Sequence, residues 1–138
     1  MPEVTEEIQT PDPRRRPQPE EGPLNIVYED EWMLVANKPA GLVVHPTYKN
    51  TSGTLLNAVL WHVRHRADVQ PGILTRLDKD TSGLVVMALT PELHAVMQKD
   101  AAAGRTSKQY LALVCGSPEP RQGVIVLALA RDPIDRRR

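Results

Sequence analysis

Arg76-Leu77-Asp78-Lys79-Asp80-Thr81-Ser82-Gly83, followed by Leu84-Val85-Val86-Met87-Ala88-Leu89, sets a carboxylate beside an arginine, ahead of a small-residue turn that opens into an apolar run. The near-continuous apolar character of residues 84–89 predicts a strand covered on both faces, so the loop before it stands on a rigid edge. Loops held by rigid elements are where binding and catalytic groups concentrate. On spacing alone the segment is a polar turn before a strand, in which Asp78 can cap the turn. It also matches the opening of a calcium loop, D-x-D-x-S-G, but the twelfth position falls on Leu89, where a bidentate Glu is needed.

Around this loop the chain reads as α+β. Residues 25–28 and 33–37 predict two short strands flanking Glu29-Asp30-Glu31, and Lys38-Pro39-Ala40-Gly41 is a turn by its Pro and Gly. Thr51 or Ser52 is placed to cap a helix over about 53–64, with Leu55, Leu56, Val59, Leu60 and Val63 on one face. Thr90 as N-cap, Pro91 at the first helical position and Gly104 past the end predict a second helix. Residues 110–114 and 123–128 predict two more strands on either side of a loop carrying Pro118 and Pro120.

Residues 1–23 differ in kind. They contain six of the 13 prolines and hardly any apolar residues between them, too little to offset the entropy of ordering, so a disordered Pro/Glu/Arg-rich tail is expected there, with a folded region over 24–138. Formal net charge is zero, from 17 bases and 17 acids, yet residues 1–22 hold six of the acids and three of the bases. That leaves 11 acids and 14 bases in the remainder, a charge of about +3 that permits a nucleic-acid partner without requiring one. The triplet Arg14-Arg15-Arg16 reads as a solvated charge run.

At 138 residues and 41% hydrophobic content the chain is long enough to bury a core, built from Leu, Val and Ala because Phe is absent. No run approaches the ~18 apolar residues of a membrane helix. With no signal peptide at Met1-Pro2-Glu3-Val4, a cytoplasmic monomer is the expectation. The lone Cys115 reads as a small buried hydrophobe in a strand. His45, His62, His65 and His94 form no metal-binding spacing, so no metal is expected.

Three segments in order carry a resemblance to a known family. Leu34-Val35-Ala36-Asn37-Lys38-Pro39-Ala40-Gly41, Arg76-Leu77-Asp78-Lys79-Asp80-Thr81-Ser82-Gly83 and Lys108-Gln109-Tyr110-Leu111-Ala112-Leu113-Val114-Cys115-Gly116 resemble the KPxG, RLDxxTSG and KxYxAxxxG motifs of the RluA/RluD-type ribosomal large-subunit pseudouridine synthases. The resemblance covers about residues 24–138 and departs at Thr75, where the family usually has His. It implies the N-terminal half of a pseudouridine synthase catalytic domain, a mixed and mainly antiparallel sheet with flanking helices. Family members continue into a segment whose basic residue pairs with the catalytic aspartate.

The resemblance implies isomerisation of uridine to pseudouridine in structured RNA, with large-subunit ribosomal RNA as the expected partner and no cofactor. Asp78 is the family match for the catalytic carboxylate; Asp80 reads as a turn or surface acid. A carboxylate near C1′ can attack it, stabilise an oxocarbenium-like centre or remove the C2′ proton, and the residues leave these three open. Arg76 matches the side chain that fills the space of the flipped base, and Tyr110 the aromatic on which that base stacks. Lys38 and Lys108 are candidates for backbone phosphates. The alternative reading is a catalytically inactive RNA-binding or interaction fragment.

Overall fold

The computed structural model describes residues 16–47, 49–128 and 130. The chain divides into two units, Met1–Ser107 and Lys108–Arg138. The first is α+β and contains β1 (Ile26–Glu29), β2 (Met33–Lys38), α1 (Leu55–His62), β3 (Gly72–Ile73), β4 (Gly83–Ala88) and α2 (Pro91–Ala102). The sheet order is β1-β2-β4-β3, and its three pairings are all antiparallel.

Period-2 alternation determines which side of the sheet is core. On β2, Leu34, Ala36 and Lys38 are buried, while β4 sets Met87 opposite Leu34 and Val85 opposite Ala36. Leu55, Leu56, Val59 and Val63 of α1 and its C-terminal flank pack against these residues. Each such side chain contributes ~1.5–3 kcal/mol on burial. The opposite face meets the expectation of a strand covered on both sides only in part. Leu84 is 57% exposed there at the start of β4, whereas Val86 is half-buried and Ala88 fully buried on the face against which α2 packs.

Local chemistry explains the element boundaries. The β1–β2 turn is tied by Asp30, whose Oδ1 accepts from the Trp32 and Met33 amides at 2.8 and 2.7 Å and whose Oδ2 accepts from the Tyr28 hydroxyl at 2.8 Å. Those bonds hold the Asp30 carboxyl below the usual carboxylate range, the Met33 amide contributing most. Helix α1 starts later than residue 53, since Gly53 has a φ of +63° and Thr54 forms a capping box with Asn57. The α2 signals match the structure: Thr90 caps, Pro91 opens the helix and Gly104 follows its last turn.

Residues 16–23, part of the expected tail, form no helix or strand but are tied to α1. The Glu20 amide donates to Asn57 O at 3.1 Å, Asn57 Nδ2 donates to Gln18 O at 2.7 Å, and the Gly53 amide donates to Glu20 Oε2 at 2.7 Å. The remainder of that expectation, residues 1–15, lies outside the described residues.

In the second unit the described residues contain no helix or strand, which corrects the strands expected over 110–114 and 123–128. Leu111 and Leu113 are 105% and 104% exposed. A strand exists through its ladder, and these runs have no hydrogen-bonded neighbour among the described residues, so strand-like composition alone does not produce one. Cys115, expected to be buried, is exposed for the same reason.

Candidate active site

The Asp78 loop leaves the β3–β4 ladder at Leu74, whose amide donates to Val86 O at 3.1 Å. Thr75, where the family usually has His, keeps the chain there by accepting from the Val86 amide at 3.3 Å through its hydroxyl. Leu77 packs against the core, and its neighbours Arg76 and Asp78 are exposed. In an extended chain alternate residues point to opposite sides, so anchoring Leu77 directs both charged groups outward. The Thr81 amide then donates to Asp78 O at 3.1 Å, closing a turn with Lys79 and Asp80 at its centre. Among the described residues the Asp78 carboxylate has no ion pair.

The far side of the loop is held by the Lys-Pro-Ala-Gly turn. Lys38 is fully buried, and its ammonium donates to Pro39 O at 2.9 Å, Leu42 O at 2.8 Å and Lys79 O at 2.9 Å. Gly41 adds a second bond to the same carbonyl, its amide reaching Lys79 O at 2.8 Å from a φ of +85°, a conformation open to glycine. The residue after Asp78 is therefore bonded twice by the end of a different strand. Burial pushes the Lys38 ammonium below the ordinary lysine range, and the Asp80 and Asp78 carboxylates push it back up.

Lys38, a candidate for a backbone phosphate, has its ammonium directed at carbonyls of its own chain. An ammonium has three donors, and all three are spent on carbonyls inside the protein, so none remains for RNA. The bond from Lys38 to Lys79 O ties it to the Asp78 loop. The signal was present in the sequence: Lys38 continues the inward register of Leu34 and Ala36.

Arg76 and Asp78 lie on one loop, separated only by Leu77. Lys108 and Tyr110 lie in the second unit, both exposed, Tyr110 by 62%. Among the described residues no group of three or more His, Cys, Asp or Glu is placed to hold a metal ion, and no helix is long and apolar enough to cross a membrane.

The family model described as RNA pseudouridylate synthase matches residues 32–137, which includes the Lys38 turn, the Asp78 loop and the Tyr110 segment. An uncharacterised RNA pseudouridine synthase of Aquifex aeolicus is 43% identical over 87% of this chain and 39% of its own length. The ribosomal large subunit pseudouridine synthase D of Zymomonas mobilis is 42% identical over 97% of this chain and 43% of its own. The chain thus spans about two fifths of the length of these relatives. Among solved structures, human RNA pseudouridylate synthase domain containing 4 aligns with a TM-score of 0.48 at 23% identity, covering 59% of this chain and 30% of that one. With more than two thirds of its residues inside the matched model, the chain belongs to the RNA pseudouridylate synthase family.

Proposed function

We propose that the protein is an RNA pseudouridine synthase that isomerises uridine in structured RNA, with Asp78 as its catalytic carboxylate. The observation that carries this reading is the contrast at the loop: an exposed carboxylate on a backbone fixed from both sides. Large-subunit ribosomal RNA is the proposed substrate, supported by the name of the Zymomonas mobilis relative. In this reading the protein works in the cytoplasm as a monomer and needs no cofactor.

The reaction breaks the bond from N1 to C1′, turns the base and joins C5 to C1′. N1 gains a proton and C5 loses one, so electrons balance without a redox partner. Asp78 supplies the negative charge that C1′ requires as its bond to N1 breaks. A stacked uridine must first leave its helix, at a cost of a few kcal/mol. Arg76, exposed beside Asp78, fills the vacated space with a planar guanidinium, and Tyr110 offers a stacking face worth ~1–3 kcal/mol. Lys108 meets a backbone phosphate.

The test is tritium release from 5-tritiated uridine in large-subunit ribosomal RNA by the full-length protein and its Asp78→Asn variant. Asn keeps the shape and loses the charge, so turnover should fall at least about a hundredfold while RNA binding persists. Release by Asp78→Asn within about tenfold of wild type, a barrier difference of ~1.4 kcal/mol, removes Asp78 from the chemistry. Wild-type RNA binding without tritium release would favour the second reading, an RNA-binding chain that does not turn over.

A further inference from the structure

A cleft of about 470 Å³ opens beside the Asp78 loop, where β2 ends and β4 begins. Its size is that of a small-ligand pocket. Pro23, Leu24 and Pro39 form apolar walls, and the polar part of the lining comes from Asn25, Asn37 and Ser82. None of these three side chains makes a hydrogen bond among the described residues, whereas the backbone between them is paired, the Asn37 amide donating to Asn25 O at 2.8 Å.

The two amides are neighbours by register. Ile26 pairs with Ala36 in an antiparallel ladder, so Asn25 stands opposite Asn37 on the face away from the core, where both are exposed. Residues directly opposite have Cβ atoms ~4.5–5.5 Å apart. The pair therefore presents two carboxamides side by side, each with a donor and an acceptor end.

Charge decides what such a pocket can hold. Phosphate is held most strongly by a cation or a nest of amide N–H groups, with single neutral side-chain donors adding less. The cleft offers no free cation, since Lys38, the one basic residue of the lining, has its ammonium turned to three carbonyls; Pro23 and Pro39 contribute no N–H, and the Asn37 amide is bonded to Asn25 O. Neutral amides and a hydroxyl between flat apolar walls suit the edge of an unstacked base, the form in which RNA sequence is usually read.

Position ties the pocket to the reacting uridine. Ser82 is four residues from Asp78, and four residues span at most ~14 Å even fully extended. At roughly 3.4 Å per stacked nucleotide, the pocket's occupant lies within a few positions of the target.

We propose that Asn25, Asn37 and Ser82 form a subsite that reads an unpaired base flanking the target uridine, and that adenine is the base it prefers. One carboxamide complements a donor beside an acceptor, and adenine is the base that offers this pair on both of its open edges, N6 with N1 and N6 with N7, so both carboxamides can engage it. This inference rests on the synthase reading above, and it adds a determinant of which uridine is chosen.

The experiment gives the full-length protein a pool of hairpin RNAs with one target uridine and randomised unpaired neighbours, and reads turnover by the block that a carbodiimide adduct of pseudouridine imposes on reverse transcriptase. Wild type should favour adenine at one flanking position by about fivefold, the low end of what one misread base costs. Asn25→Ala with Asn37→Ala should flatten that preference below about twofold while turnover continues. Asn37→Asp, which keeps the shape but loses the donor end, should move the preference from adenine towards guanine, whose adjacent N1–H and N2 amino donors a carboxylate accepts with both oxygens. A wild-type enzyme with no flanking preference, or variants that keep it, overturns the subsite. A wild type that modifies no RNA overturns the synthase reading and this inference with it. If the double variant does not fold, the Asn37→Asp shift alone decides.

Discussion

The Asp78 loop with β4 and the stretch over 110–128 are built from similar material, short apolar runs beside polar turns, yet the structure treats them oppositely. In the first, Met87 and Val85 are buried, and the loop ahead of them is bonded through Lys79 O to Lys38 and Gly41. In the second, Leu111, Leu113 and Val124 through Leu127 are exposed and carry no ladder. What differs is the presence of partners. A run of β-branched and apolar residues becomes a strand when a neighbour supplies hydrogen bonds and a covered face, and composition states only that it is able to.

The contrast is broken most severely at Lys38. Replacing it by Met keeps the stem and removes the ammonium, leaving Pro39 O and Leu42 O without that donor while Lys79 O keeps the Gly41 amide. At ~1–3 kcal/mol for each acceptor left unpaired, Lys38→Met should destabilise the first unit by about 2 kcal/mol or more. Urea unfolding measures this, and a loss below about 1 kcal/mol would show that the ammonium is not what holds the loop. Lys38→Arg should not rescue it, because a planar fork does not fit three carbonyls arranged around a point charge.

A matched pair of truncations comes next. Met87→Ala removes a fully buried side chain and should cost about 2–3 kcal/mol, whereas Leu113→Ala removes an exposed one and should change stability by no more than about 0.5 kcal/mol. Equal costs in urea would mean that the two regions are not different in kind.

A smaller effect is expected at the β1–β2 turn. The Asp30 carboxyl is lowered in the folded state by its bonds to the Met33 amide, the Tyr28 hydroxyl and the Trp32 amide. A depressed folded value stabilises the fold above the ordinary Asp range, and that contribution disappears as pH falls through the lowered folded value. Asp30→Asn should therefore flatten the acid side of the stability profile. An unchanged acid limb in pH-dependent thermal unfolding would contradict this assignment.

Much of the first unit was legible because its signals are local. Thr90, Pro91 and Gly104 mark α2, and the apolar spacing of Leu55, Leu56, Val59 and Val63 marks α1. β3 was not legible, since two residues, Gly72 and Ile73, carry no periodicity and pair only because β4 lies beside them. Asn57 gave no signal either: its bonds to Gln18 and Glu20 join segments far apart in sequence. At the candidate site the motif order singled out Asp78 and Arg76 as candidates, but a lysine beside a turn reads as solvated. Only the inward register of Leu34 and Ala36 distinguishes Lys38 from a surface lysine.

The most direct test of the account is amide hydrogen exchange, residue by residue, on the 138-residue chain and its Lys38→Met variant. In wild type the amides of Gly41, Leu74 and the β4 ladder should be protected, while those of residues 111–114 exchange at the rate of an unstructured peptide. Lys38→Met should lower protection at Gly41 and Thr81 more than at Leu93 and His94 at the start of α2. Protection over 111–114 equal to that of β4, or a Gly41 amide indifferent to the loss of Lys38, would contradict the claim that Lys38 fixes the Asp78 loop and that the two regions differ by their partners.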